Sequence, residues 1–458
     1  MTRVAVLGGG VTGLTAARDL HQAGADVVLL EAAPRLGGKI NSTPVAGRPA
    51  DLGADCFLAR IPFARNLAIE LGLGDQLVAP APAKPAYVRR HGKLHPIPDG
   101  TVLGAPVDLD KVAASSDLLS AEALARIAQD RTNPNDHPGG DTTLGEMVRR
   151  RMGDEVLEWL VDPLLGGINA GDSDLLSLRA GAPQFAAAIK DHASLADGLE
   201  AFMARVPASD LPIFTSFPGG VVTLINALVD DLTDKVDLRV DSPIESLSLG
   251  ADGWHISTGG DEVQADSIFI ALPAHAAGPL LKGVADEAAG ILSAIDHSSV
   301  SQVTIAVPTD AVGTDLDASG FIVPRPEGML MTAATWFSTK WAHYAHPTET
   351  LIRVSSGRYH DTRTLAMDDD VLTERLLSEL TEIVPLAADP IDVRVHRWLD
   401  TFPQYTVGHL DRMEKVRSEL GGLAAPAVIA GMGIGGIGIP ACIGQAHTAT
   451  KALVDQAS

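Results

Sequence analysis

The sequence predicts an α/β fold: a parallel-sheet domain assembled from three separate stretches of chain, an α+β region, and a helical lobe. Three observations predict it. A strand, a glycine turn and a helix open the chain. Short strands recur between residues 236 and 273. A second glycine-rich turn, "GMGIGGIGIPACI" from Gly431 to Ile443, leads into a helix at the far end.

The bulk properties bound what such a fold can do. At roughly 100–200 residues per domain, 458 residues suggest two or three domains. The net charge is -23, from 58 acids against 35 bases. Such a surface repels nucleic acid and anionic lipid, so neither is an expected partner. An anionic substrate would have to be met by a few locally placed Arg or Lys. The two cysteines, Cys56 and Cys442, form neither a disulfide framework nor a metal-ligand spacing. No metal site is expected, and the thiols read as reduced groups of a cytoplasmic protein. "MTRVAVLGGG" enters a strand directly, with no signal-peptide pattern. Leu420 to Ala446 carries no charge, but it holds eight glycines and two prolines, a density that would not sustain one membrane-spanning helix.

The first element is the strand "RVAVLG". Gly8, Gly10 and Gly13 follow in a G-x-G-x-x-G pattern, with Gly9, Val11 and Thr12 completing the loop. "LTAARDLHQAG" is a helix with Leu14, Ala17 and Leu20 on one side and Gly24 as its stop. "ADVVLLE" is a second strand ending at Glu31. Gly8 makes the tight turn. Gly10 lets the backbone approach a pyrophosphate, and Gly13 lets helix and strand pack closely. Glu31 can hold ribose hydroxyls. The unit reads as a Rossmann-like dinucleotide-binding motif.

"AAPRLGGK", residues 32–39, adds a second glycine pair that a bare NAD fold does not need. It resembles the segment after the Rossmann acid in large FAD oxidoreductases. That resemblance implies that the pair returns over the pyrophosphate and that Lys39 lies near the cofactor; alone, Lys39 also reads as a solvated surface lysine. "DLGADCF", Asp51–Phe57, has the spacing of a strand and turn passing the flavin.

Residues of about 91–212 are helix-rich, clearest in "TLGEMVRRRMGDEVLEWLVDPLL". Within them, Asp130–Thr143 reads as a mobile loop by composition, and the three arginines at 149–151 as a solvated helix face. Strands from Val236 to Pro273 resemble the inserted part of the FAD fold. Ile244 there reads either as core or as a neighbour of the adenine. Residues of about 276–394 mix strands and helices and would form a substrate floor. The FAD-binding domain would thus comprise residues of about 1–80, 213–275 and 395–458.

The second glycine run repeats the grammar of the first. "AVIA", Ala427–Ala430, is a short strand, and Pro440 suits the first residue of a helix reaching about Asp455. A flavin has two places that want a helix N-terminus. One is its pyrophosphate; the other is the N1–C2=O edge, which gains negative charge on reduction.

These motifs, with "GKLHPIPDG", "RRRMGDEVLEWLVDPLLGGINAGD", "LSLRAGAPQF", "RWLDTFPQYTVGH" and "GIGIPACI", span nearly the whole chain. Together they resemble the bacterial coproporphyrinogen and protoporphyrinogen oxidases of haem biosynthesis, within the amine-oxidase-like FAD superfamily. The resemblance implies non-covalent FAD held by Gly8 to Gly13, Glu31, Ala32, Lys39, Gly53, Ala54, Asp55, Cys56, Ile244, Trp398, Ile437, Gly438 and Ile439. It departs at Asn169, where the family run usually has Tyr. It implies removal of six electrons from a porphyrinogen, two at a time, with O2 reoxidising the flavin and releasing H2O2. Coproporphyrinogen III is the favoured substrate and protoporphyrinogen IX the alternative. The family's membrane-attached lobe is well charged here, so at most weak peripheral contact is expected, together with transient contact to the next haem-pathway enzyme.

Such a site needs acceptors for the macrocycle N–H groups. The backbone of "GGINAG", with Gly167, Asn169 and Gly171, is the candidate; it also reads as a plain helix-ending turn. It needs cations for the propionates, and Arg60, Arg89, Arg90 and Arg179 are open choices. An amine oxidase would place aromatic residues near the C-terminal motif, and no Phe, Tyr or Trp follows Tyr405. A non-catalytic flavin protein remains an alternative, which peroxide release would separate. No acid or base residue is assigned.

Overall fold

The computed structural model describes residues 2–81, 86–132, 139–207 and 209–457. Its centre is a five-stranded parallel sheet in the order Asp237–Arg239, Asp26–Leu30, Arg3–Leu7, Ser267–Ile270, Ala427–Ile429. Leu7 pairs with Leu30 on one side and Ile270 on the other, and Ile270 pairs with Ile429. The central strands are apolar almost throughout because both faces are covered. On one face lie helices Val11–Gln22, Val222–Leu232 and Ile439–Ala457, sharing a core with Val4, Val6, Leu14, Leu224 and Ile443. On the other lie an antiparallel meander of Ile244–Gly250, Gly253–Thr258 and Asp261–Ala265 and the helix His409–Gly421.

A seven-stranded sheet stands beside this domain. Its order is Asp392–Pro403, His297–Pro308, Glu349–Ser356, Met331–Trp336, Gly320–Ile322, Ala86–Arg90, Lys93–Pro96. All neighbours are antiparallel except Gly320–Ile322 with Ala86–Arg90. Two expected boundaries move. Residues 93–96 fall in this sheet and not in the helical lobe, since Lys93 pairs with Arg90 in a tight hairpin at its edge. The strand Asp392–Pro403 runs across residue 395, so one continuous strand serves both regions.

The helical lobe has its own core, including Leu144, Val148, Trp159, Leu160, Phe185 and Leu199. Side-chain caps start its helices: Asp108, Ser120, Thr143, Ser177 and Ser194 each accept a backbone N–H. From Leu157 to Gly166 the turns widen to a π-type helix containing Pro163, and Gly167 N–H reaches back to Asp162 O. Two expectations need correction here. Arg149 and Arg150 are partly exposed, but Arg151 is buried, with Nε 2.5 Å from the fully buried Asp130 carboxylate. Asp130 also accepts from Ser194 Oγ and Ala196 N–H, so the start of the Asp130–Thr143 stretch is a fixed anchor. Residues 133–138 of that stretch lie outside the described residues.

Candidate active site

The first glycine turn has the geometry its pattern implies. Gly8 has φ +106°, and a Cβ on Gly13 would lie 1.9 Å from Gly8 O. A Cβ on Gly10 would meet nothing within 4 Å, so this backbone faces open space. The Glu31 carboxylate lies beside it, accepting from Gly9 N–H at 2.7 Å and Ala33 N–H at 2.8 Å. The second glycine pair folds back onto this turn. Gly37 N–H donates to Gly9 O at 2.8 Å, and a Cβ on Gly38 would sit 3.1 Å from Gly10 Cα. Arg35 fastens the return by donating to Gly38 O. Ala32 is exposed on the rim.

The second turn is built alike. Gly431, Gly436 and Gly438 all have positive φ, and Gly438 also faces open space. The last helix starts at Ile439, with Cys442 N–H bonded to Gly438 O at 3.0 Å. Ile437 packs toward the helical-lobe core and Ile439 into the parallel-sheet core. A residue without an assigned role from sequence pins the loop: the Tyr405 hydroxyl donates to Met432 O and accepts from Gly436 N–H. His409 stacks on its ring at 4.2 Å. Burial pushes the Tyr405 phenol well above its ordinary range, so it stays a hydroxyl.

The two turns converge. The Cys442 thiol faces the Thr12 hydroxyl, and a Cβ on Gly431 would sit 3.6 Å from Thr12 Oγ1. Two helix N-termini therefore open on one side of the sheet. Lys39 bridges toward them, with Nζ 2.5 Å from Thr401 O and 3.7 Å from Met432 sulfur. These contacts take the ammonium out of the solvated-surface reading, and burial lowers its pKa to about 8. A Cβ on Gly53 would lie 3.0 Å from Lys39 O and 3.6 Å from the Trp398 ring. Trp398 Nε1–H donates to Leu52 O at 2.7 Å and meets His396 edge-on at 4.2 Å. Lys39, Gly53 and Trp398 thus form one wall. Ile244 packs on the meander-side core, and the chain before it is tied to the acid, Ser242 N–H donating to Glu31 O. Its two sequence readings are compatible.

The side chain of Asp55 does not join this site. Its carboxylate meets Lys340 Nζ at 2.7 Å, Trp341 Nε1 at 2.8 Å and Arg353 at 3.3 Å. Those partners stand on the seven-stranded-sheet side, so Asp55 is a joint between the two regions. Cys56 packs against the Phe337, Trp341 and Tyr344 cluster, and burial pushes its thiol up to about 12. Ala54 is exposed.

The "GGINAG" turn has the geometry of its second reading, a helix-ending turn bonded within the protein. Gly166 O accepts from Gly171 N–H, Gly167 O from Ala170 N–H, and Ala170 O from Tyr359 N–H. Asn169 O accepts from Gln404 Nε2, and Gly171 O from Arg325. These carbonyls are engaged by the protein because so tight a turn must satisfy its own backbone. The Asn169 amide is buried and donates to Leu165 O at 2.8 Å, turned away from solvent. The expected arginines are engaged as well: Arg89 with Glu327, Arg90 with Glu155, Arg179 with Asp411. Arg60 is exposed and donates to Leu211 O.

Two open glycine cradles at converging helix N-termini, an acid at the end of the second parallel strand and a separate sheet beside them have the layout of a flavoprotein oxidoreductase. The model of the family described as "Flavin containing amine oxidoreductase" matches residues 11–453. A protein of Mycobacterium leprae named coproporphyrinogen III oxidase is 36% identical, over 98% of this chain and 97% of the relative. One of Bacillus subtilis with the same name is 32% identical over 98% and 97%. A solved structure from Exiguobacterium sp. 255-15 superposes with a TM-score of 0.87 at 31% identity, covering 99% of each chain. The chain belongs to the flavin-containing amine oxidoreductase family, and its cofactor is a flavin.

Proposed function

We propose that the protein is an FAD-dependent oxidase that takes six electrons from coproporphyrinogen III in haem biosynthesis, with O2 as acceptor and H2O2 as product. The carrying observation is the similarity to coproporphyrinogen III oxidases along almost the whole chain, which takes in both glycine cradles. Bound FAD would supply two-electron acceptance at the carbon skeleton.

The chain's own residues do the rest. Gly8 to Gly13 and the helix starting at Val11 would hold a pyrophosphate, and Glu31 keeps lone pairs for ribose hydroxyls beyond its two backbone bonds. The N-terminus of the helix starting at Ile439 would offer N–H groups and its dipole to a bound ring, which would stabilise the negative charge of its reduced form. Trp398 and Gly53 set the width of the wall, and Lys39 holds a positive charge beside it. Both thiols are pushed up by burial, so neither is a ready thiolate, which supports non-covalent binding. Among the described residues no helix is long and apolar enough to cross a membrane. With two free thiols, a cytoplasmic setting is our reading. Acid denaturation of the purified protein should release FAD into the supernatant. Steady-state kinetics should give a higher kcat/KM for coproporphyrinogen III than for protoporphyrinogen IX; the reverse order would refute the substrate assignment.

A further inference from the structure

The cofactor site makes no use of Arg358, yet this residue is fastened to the turn where the substrate region meets the helical lobe. It follows a Gly357 corner with φ +87°, where a Cβ would lie 2.7 Å from Ser299 O. The next residue, Tyr359, donates its N–H to Ala170 O at 2.8 Å. Arg325 clasps the same turn, with Nε 3.3 Å from the Asp162 carboxylate and its other arm on Gly171 O.

The acids around Arg358 already have partners. Asp162 accepts from Arg325 and from Ser173 N–H. Asp361 is chelated by Arg363 at 2.7 and 2.8 Å. Beside the next residue, Tyr359, Asp296 accepts from the Tyr359 hydroxyl at 2.7 Å and Asp172 from Asp174 N–H at 2.9 Å. Among the described residues, no hydrogen bond or ion pair reaches the Arg358 guanidinium. It is half-buried, and burial, then the Arg325 charge, lower its pKa to about 10, so it remains a cation at neutral pH. Such a charge is poorly hydrated, and the Asp162 and Asp361 carboxylates whose charges act on it are both bonded to other arginines. On the same turn, Ile168 leaves 57% of its surface exposed. A cation on the segment bonded to a turn that exposes an apolar side chain suits a carboxylate carried on an apolar ring.

We propose that Arg358 binds a carboxylate of the substrate, a propionate of the tetrapyrrole laid against the Gly166–Gly171 turn. The inference rests on the porphyrinogen reading. It takes the place of the four arginines that the sequence offered, three of which are already ion-paired.

The test uses the flavin-loaded full chain and the air-stable porphyrin, whose fluorescence reports binding. Wild type, Arg358→Gln and Arg358→Lys are titrated with coproporphyrin III and with its tetramethyl ester. Replacing a charge-assisted contact by a neutral amide should raise the Kd for coproporphyrin III about tenfold, with the lysine variant between. The ester should bind wild type and Arg358→Gln equally, and flavin content and Tm should not move. Equal Kd values for coproporphyrin III in wild type and Arg358→Gln would overturn the assignment. So would a loss that the ester shares. Should Arg358→Gln fail to fold, Arg358→Lys carries the test, and an unchanged Kd in it is the refuting result. If wild type binds no coproporphyrin at all, the porphyrinogen reading itself fails and this inference falls with it.

Discussion

Asp51 and Asp55 lie four positions apart and titrate in opposite directions. Asp51 is buried and accepts from Val221 N–H at 3.0 Å. Burial first, then the Asp55 charge, raise its pKa to about 7. Burial also opposes ionisation of Asp55, but the Lys340 and Arg353 charges outweigh it and hold that carboxyl well below the usual range. The signs follow. Asp51, raised above its unfolded value of about 3.9, contributes stability below that value and loses it as pH rises toward 7. Asp55 contributes stability above pH 4 and loses it under acid. Asp51→Asn should therefore be more stable than wild type at pH 8, by on the order of a few kcal/mol, with the gain fading by pH 4. Melting curves at both pH values check this; a gain independent of pH would contradict it. The same scale governs Glu31. Glu31→Ala should weaken FAD binding about tenfold or more, a charge-assisted acceptor being worth roughly 1.5–3 kcal/mol. It should also lower the Tm of the apoprotein, because Gly9 and Ala33 lose their acceptor. Titration of apoprotein with FAD measures the first effect, and an unchanged Kd would refute the role. Glu31 was legible because strand, glycines and acid lie within one local unit. The Asp55 joint was not, because Lys340 and Arg353 are 285 and 298 positions away.

At the scale of elements, the second glycine loop leads directly into the last helix, Ile439–Ala457. Gly438 has φ +114° and no neighbour within 4 Å of a built Cβ. A side chain there would project into the space assigned to the flavin and would also strain the backbone, at about 1–2 kcal/mol. Gly438→Leu should thus lower the Tm modestly whatever else it does. The discriminating readout is the flavin reduction potential. It should become more negative, as the reduced ring loses the N–H groups and dipole of the helix beginning at Ile439. An unchanged potential in the folded variant would reduce the loop to a packing device. The strand–turn–helix grammar of this region was visible because glycine, proline and apolar runs act locally. The Tyr405 pin was not, since it acts across 31 and 27 positions on backbone atoms that carry no sequence signature. The Gly166–Gly171 carbonyls show the converse. Glycines there signalled close approach, but the approaching groups are Gly171, Ala170, Tyr359, Gln404 and Arg325 of the same chain.

For the whole molecule, the strands Arg3–Leu7, Asp26–Leu30, Ser267–Ile270 and Ala427–Ile429 of the parallel sheet were readable because they are largely buried apolar runs separated by clear turns. The edge hairpin of the second sheet was not, because Ala86–Arg90 and Lys93–Pro96 are short, half-buried and rich in basic residues. The two regions are joined by the strand Asp392–Pro403 and by the Asp55 ion pairs, so the two sheets are held in fixed relation. That relation is what a six-electron oxidation needs: one macrocycle presented repeatedly to one ring. The most direct test is to supply coproporphyrinogen III to the purified, FAD-loaded protein in air and to measure peroxide and porphyrin together. The account predicts coproporphyrin III and about three molecules of H2O2 for each porphyrin formed, since each turnover of the flavin removes two electrons. Porphyrin formation no faster than in a flavin-free control, or oxidation with no peroxide, would contradict it.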